Sequence, residues 1–89
     1  MRVVLLVPST LAQFCAGTSR LPLSASTVRE ALEGATRIHP LLRAHLFDES
    51  GRIREHLHLF RNWDDVRDDL DVSLEDGDEL YVLRAMSGG

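Results

Sequence analysis

The sequence predicts an α+β domain, a sheet with one main helix packed across one face. Three observations carry this expectation. A β-branched and leucine-rich run occupies Arg2 to Val7, a second occupies Glu79 to Ala85, and a capped amphipathic segment begins at Thr27 between them. Two strand-like ends around a helix must bury their apolar faces against one another, which gives a layered sheet-and-helix arrangement.

Each element has a local reason. Pro8 cannot donate to a ladder and closes the first strand, which is expected to lie inside the sheet rather than at its edge. Ser9 to Ser19, with Gly17 and small polar residues, reads as a connection with Leu11 and Phe14 turned inward. Arg20 to Ala25 is a second strand, antiparallel to the first, and Pro22 assigns it an edge. Thr27 and Glu30 have capping-box spacing, each side chain serving the other residue's free amide. Val28, Ala31, Leu32 and Ala35 then form one apolar stripe on a helix of about three turns. Gly34 costs that helix about 1 kcal/mol relative to alanine.

His39-Pro40 breaks the helix, because the residue before proline is pushed out of the helical region. Leu41, Leu42 and Leu46 suggest a further helical turn or two, and Asp48 to Gly51 is a turn. Ile53 to Arg61 alternates as a strand, with Ile53, Leu57 and Leu59 core-like and Arg54, His56, His58 and Phe60 on the other face. Asn62 to Val72 is an acidic connection anchored by Trp63, Val66 and Leu70, and Asp76-Gly77 turns into the last strand, which returns beside the first.

Eighty-nine residues with 44% apolar content support one small domain, assigned to residues 1–85, followed by a flexible tail at 86–89. Cys15 is the only cysteine, so an internal disulfide framework is excluded and a reducing compartment is the simplest expectation. The apolar run Val3 to Val7 is short for a signal peptide, and no stretch approaches the ~20 apolar residues of a membrane span. The expected location is cytoplasmic, with no membrane partner.

A net charge of −4 argues against nucleic acid, whose phosphates demand a basic face. Nine of the fourteen acidic residues fall between Asp64 and Glu79, with Arg67 as the sole base among them. That segment suits a partner with a basic surface, but taken alone it reads first as a solvated acidic turn region. The chain holds ten arginines and no lysine. An activated carboxyl end would find no ε-amine on its own chain, although a compositional bias towards arginine gives the same count.

The chemistry is expected at the end of the chain. Gly88 and Gly89 directly follow a strand-like run, and a carboxyl end without side chains can be threaded into another protein's active site. If Leu80 and Val82 point into the core, Tyr81 and Leu83 point outwards with His58 and Phe60, making an apolar patch near the tail. Arg84 and Met86 continue this candidate partner-binding set towards Gly88 and Gly89. A covering loop or a homodimer would use the same surface.

These residues resemble a known group. Thr27-Val28-Arg29-Glu30-Ala31-Leu32, His39-Pro40, Phe47 to Arg52, Phe60-Arg61-Asn62, Asp65-Val66-Arg67, Leu74 to Glu79 and the final Gly88-Gly89 are similar, in order and spacing, to the MoaD/ThiS family of sulfur carriers. The closest flavour is that of the cysteine-biosynthesis or molybdopterin-synthase small-subunit-like carriers. Arg84 departs from the proline often found there, and Arg61 and Trp63 depart from the valine and glycine of a Phe-Val-Asn-Gly turn. The resemblance implies a β-grasp, ubiquitin-like fold with a mixed four- to five-stranded sheet. It also implies a protein co-substrate rather than an enzyme, either a free carrier or the small subunit of a complex.

The resemblance further implies two partners. An E1-like adenylating and sulfurtransferase enzyme uses ATP and magnesium to adenylate the Gly89 carboxylate and convert it to a thiocarboxylate, and a biosynthetic enzyme then accepts the sulfur. Molybdopterin, cysteine, thiamin thiazole and related products are the outlets. The carrier itself holds no cofactor. Two rival readings use the same end differently: a ubiquitin-like modifier conjugated through Gly89, and a non-catalytic ubiquitin-like binding module.

Weaker signals point elsewhere. His56 and His58 share a strand face, and with His45 or an acid they could hold a transition metal, but two histidines on a strand usually face solvent, so no metal site is assigned. Cys15 has no basic neighbour to activate it and reads as a small buried apolar residue. Asp76-Gly77-Asp78 lacks the upstream ligands of an EF-hand and is a turn.

Overall fold

The structure, a computed structural model, describes residues 1–85; the expected tail at 86–89, with Met86, Gly88 and Gly89, lies outside the described residues. The elements in chain order are β1 (Arg2–Leu6), α1 (Ser9–Ala12), β2 (Arg20–Ser24), α2 (Val28–Ile38), a 3-10 turn (Pro40–Leu42), α3 (Arg43–Leu46), β3 (Leu57–Arg61), β4 (Asp64–Asp65) and β5 (Glu79–Arg84). The five strands form one mixed sheet in the order β2-β1-β5-β3-β4. β1 and β2 are antiparallel with Val4 opposite Pro22, β1 and β5 are parallel with Leu5 beside Leu80, and β3 and β5 are antiparallel with Leu59 opposite Val82.

Period-two alternation decides the two sheet faces. Val3, Leu5, Leu57, Leu59, Leu80 and Val82 are all buried, as are Val28, Ala31, Leu32 and Ala35 on the facing stripe of α2. Pro22 is tolerated because β2 is an edge strand. The Val4 amide opposite it donates to Asp78 O at 3.1 Å, so no bond from the proline is required there.

The helix begins as its cap predicts. Thr27 is extended, and its hydroxyl accepts from the Glu30 amide at 3.2 Å. The reciprocal bond is displaced by one residue, because the Glu30 carboxylate accepts from the Ser26 amide at 2.8 Å rather than from Thr27. Two substitutions are expected to move α2 in opposite directions. Thr27→Ala removes the cap and lowers stability by about 1 kcal/mol. Gly34→Ala raises it by about 0.5–1 kcal/mol, since a Cβ there meets only Leu23 Cδ2 at an ordinary 3.9 Å. Urea denaturation of the two variants checks both signs.

Several expectations are corrected. The connection from Ser9 contains the single helical turn α1, which seats the buried Leu11, while Phe14 packs against the core and stacks on His45 with centroids 3.8 Å apart. The strand expected from Ile53 begins only at Leu57. Ile53 is nonetheless buried, through an isolated bridge to Phe47. Leu41 is exposed on the 3-10 turn, whereas Leu42 and Leu46 are in the core. Within the acidic connection Val66 and Leu70 are buried as expected, but Trp63 is 90% exposed and anchors nothing. The two-residue strand β4 places Asp64 and Asp65 opposite Arg61 and Phe60, which turns the intervening Trp63 out to solvent.

Candidate partner-docking face

The sheet surface away from α2 is only partly covered. On the adjacent strands β3 and β5, Phe60 stands opposite Tyr81 and His58 opposite Leu83. Directly opposed residues of an antiparallel pair share one face with Cβ atoms within about 5.5 Å, so these four side chains form a continuous strip. The His58 and Phe60 rings lie 6.2 Å apart, and Leu83 is 45% exposed. A shallow groove of about 270 Å³ runs along the strip, lined by Phe60, Asn62, Trp63, Glu79, Tyr81 and Leu83. Trp63, expected as an anchor of the acidic connection, is instead part of this surface. Its flanking by Asn62 and Asp64-Asp65, all turn or surface formers, was the available signal.

The remaining expected residues separate. Arg84 is opposite the core-facing Leu57, so it lies on the other side of the sheet from Tyr81 and Leu83, exposed only because the strand ends there. Met86 lies outside the described residues. Among the described residues no group of three or more His, Cys, Asp or Glu side chains gathers as a metal site, and the stacking of His45 on Phe14 takes it away from the strip.

A polar clamp fixes one end of the strip. Asn62 adopts a left-handed conformation with φ 54°, which asparagine tolerates better than most residues. Its amide N–H donates to Glu79 O at 2.8 Å, and its side-chain oxygen accepts from the Glu79 amide at 3.1 Å. Its side-chain nitrogen donates to Asp78 Oδ1 at 3.0 Å. Asp78 Oδ2 accepts from the Glu75 amide at 2.8 Å and lies 3.8 Å from Arg61 Nε, while Arg61 Nη1 donates to Ser73 O at 2.8 Å. Arg61 Nε itself is buried without a hydrogen-bond partner among the described residues, so its link to Asp78 is electrostatic only. Tyr81 donates its hydroxyl to Glu79 Oε1 at 2.9 Å, and this bond, with burial, raises the phenol above its ordinary range.

Burial pushes the Asp78 carboxyl up, but the Glu75 amide, the Asn62 side chain and the Arg61 charge together outweigh it and hold it below the ordinary value. A carboxyl lowered by folding stabilises the protein above its unfolded value of about 4 and loses that contribution as pH falls through the lower folded value. Asp78→Asn is therefore expected to lower stability at neutral pH and to flatten the acid limb of the stability curve below about pH 4. Thermal melts from neutral pH down through the unfolded value of about 4 and into more acidic buffer read the difference.

At the other end of the strip the chain leaves the sheet. The Ala85 amide donates to His56 O at 2.7 Å, so the last described residue remains tied to the segment leading into β3, next to His58 and Leu83. A larger cavity of about 470 Å³ lies elsewhere, lined by Arg29, Arg52 and Arg67 with Asp48, Glu55 and Asp68. Arg29 is paired with Asp71, and Arg67 donates to the carbonyls of Ile53 and Glu55, so these two cations serve the fold.

No protein-family model matches the chain. The small archaeal modifier protein 1 of Haloferax volcanii is 31% identical over 64 residues, which span 72% of this chain and 71% of that one. This chain belongs to the MoaD/ThiS family of ubiquitin-like sulfur carriers. The crystal structure of the Haloferax volcanii protein superposes with a TM-score of 0.83 at 26% identity over 100% of both chains. CysO in the Amycolatopsis orientalis BexX/CysO complex superposes with a TM-score of 0.86 at 27% identity, over 98% of this chain and 99% of that one. The β-grasp fold expected from the resemblance is thus the fold of this MoaD/ThiS member. It is a ubiquitin-like carrier or modifier, and no described helix is long and apolar enough to cross a membrane.

Proposed function

We propose that this protein is a cytoplasmic sulfur carrier whose Gly89 carboxylate is adenylated by an E1-like enzyme, converted to a thiocarboxylate, and used to donate sulfur to a biosynthetic enzyme. Family membership supports the class of reaction. The observation that carries the reading is the exit of β5 beside the His58, Phe60, Tyr81 and Leu83 strip, so a partner docked on the strip sits next to the chain that leads to Gly89.

The carboxylate, with a free value of roughly 3.5, is ionised at neutral pH and attacks the α-phosphorus of ATP while pyrophosphate leaves. The activating enzyme supplies the magnesium and the cationic groups that this displacement needs. A sulfur donor then attacks the acyl carbon, AMP departs, and oxygen is replaced by sulfur. Glycine at both final positions leaves the acyl carbon uncrowded. Ordering the four residues from Met86 to Gly89 costs roughly 4–8 kcal/mol, at ~1–2 kcal/mol each. Docking of the folded body offsets that cost, and CysO's presence in a complex with BexX supports partner engagement by this fold.

A second reading is favoured by one observation, the name of the Haloferax volcanii relative as a modifier. In that reading the same activated end forms an amide with a lysine of another protein. Incubation with the cognate activating enzyme, ATP and sulfide tests both. Intact mass showing one oxygen exchanged for sulfur supports the carrier. Gel-stable adducts with other proteins, and no thiocarboxylate, support the modifier. Neither product would overturn both readings.

A further inference from the structure

The molecule bears on the fate of an activated carboxyl end through what it keeps away from it. We propose, resting on the activation of Gly89, that this chain is a one-way acyl donor that presents no amine or thiol of its own within reach of its activated carboxyl carbon. Three nucleophiles could otherwise discharge it: a lysine ε-amine, a cysteine thiol, and the α-amine of Met1.

The first is absent, since all ten basic side chains of the Lys and Arg class are arginines. A guanidinium stays protonated at any physiological pH and does not attack an acyl carbon. The second is sealed. Cys15 is 0% exposed, in the core cluster with Leu11, and burial raises its thiol above the ordinary value, which further depletes the thiolate that would react.

The third is at the wrong end of the sheet. Because β1 and β5 are parallel, the start of β1 lies at the entry to β5, where Gly77 N donates to Arg2 O at 2.8 Å and Arg2 N donates to Asp76 Oδ1 at 2.8 Å. The chain leaves at the opposite end, six strand residues away, which is roughly 20 Å at ~3.3 Å per residue. The four residues from Met86 to Gly89 span at most roughly 14 Å when fully extended. Head-to-tail closure within one molecule is therefore out of reach. Hydroxyl and imidazole groups remain, but the esters and acyl-imidazoles they form with an activated acyl group are open to hydrolysis.

The consequence is specific. As a carrier, the protein holds its activated end for an outside sulfur donor without forming thiolactones or cyclic amides. As a modifier, it caps an acceptor lysine once, because the attached copy offers no lysine for a second.

The test makes the activated end chemically. Thiolysis of an intein fusion gives the full chain with an alkyl thioester at Gly89, and intact mass is followed in native buffer and in concentrated urea. In native buffer only the thioester and slow hydrolysis are expected. In urea the Cys15 thiolate attacks the Gly89 carbonyl, the alkyl thiolate leaves, and a thiolactone forms. Its rate should rise roughly a hundredfold or more, since exposing a core thiol in the native state requires unfolding. Cys15→Ser should abolish that product. A thiolactone or cyclic amide in native buffer overturns the proposal, and so does the absence of thiolactone in urea, because burial would then not be what silences Cys15. Since no activating enzyme is used, this outcome is independent of whether enzymatic adenylation succeeds.

Discussion

Phe60→Asp combined with Tyr81→Asp is expected to reduce the kcat/KM of the activating enzyme for this protein by a factor of roughly 30 or more. The two residues are directly opposed across β3 and β5 at the centre of the open strip, so the pair removes two aromatic anchors and installs two charges. Truncating central aromatic anchors of an interface commonly costs about 2 kcal/mol or more, and a desolvated unpaired carboxylate adds to it. The substituted side chains lie on the face away from α2, so the double variant should keep the circular dichroism of the parent. A folded variant activated as efficiently as the parent would place the docking surface elsewhere.

Leu80→Ala is expected to have the largest effect on stability, a loss of about 2–5 kcal/mol. Leu80 is 0% exposed, beside Leu5 of β1 and opposite Arg61 of β3, so its removal leaves a cavity in the core beside the central strands of the sheet. Small domains are stable by only about 5–15 kcal/mol, so the change consumes a large part of the total. Leu83→Ala, three residues along the same strand but on the open face, should change stability by no more than about 0.5–1 kcal/mol while weakening partner docking. Chemical denaturation of both variants checks the assignment of faces; equal losses would contradict it.

Much of this arrangement was legible in the sequence because its causes are local. The run at Arg2 to Val7, the cap at Thr27 and the stripe of Val28, Ala31, Leu32 and Ala35 each follow from neighbours a few residues away, and each element is where those patterns place it. The alternation of Leu80, Tyr81, Val82 and Leu83 was equally readable, and it located the strip directly. What failed depends on distant partners. Ile53 is buried but pairs only through an isolated bridge to Phe47 ahead of β3, so its alternation with Leu57 and Leu59 overextends β3. Trp63 is expected as an anchor of the acidic connection, but the pairing of Asp64 with Arg61 makes a turn that exposes it. Arg84 is a different case: the same local alternation that puts Tyr81 and Leu83 on one face of β5 puts Arg84 on the other.

The clamp of Arg61, Asn62 and Asp78 was not readable at all. It joins residues sixteen and seventeen positions apart through side-chain bonds that no periodicity encodes. Its effect is to hold the Trp63 turn against β5, which positions one end of the groove while the Ala85 bond to His56 positions the other. The two departures from the family's turn pattern, Arg61 and Trp63, thus fall at one place, with the first inside the clamp and the second on the surface it supports.

Adenylation of Gly89 is tested most directly by isotope exchange between pyrophosphate and ATP, catalysed by the cognate activating enzyme. Exchange that requires this protein, and that vanishes when Gly88 and Gly89 are deleted, is the expected result. Exchange that persists with the shortened chain, or never appears although the two proteins bind, would contradict it.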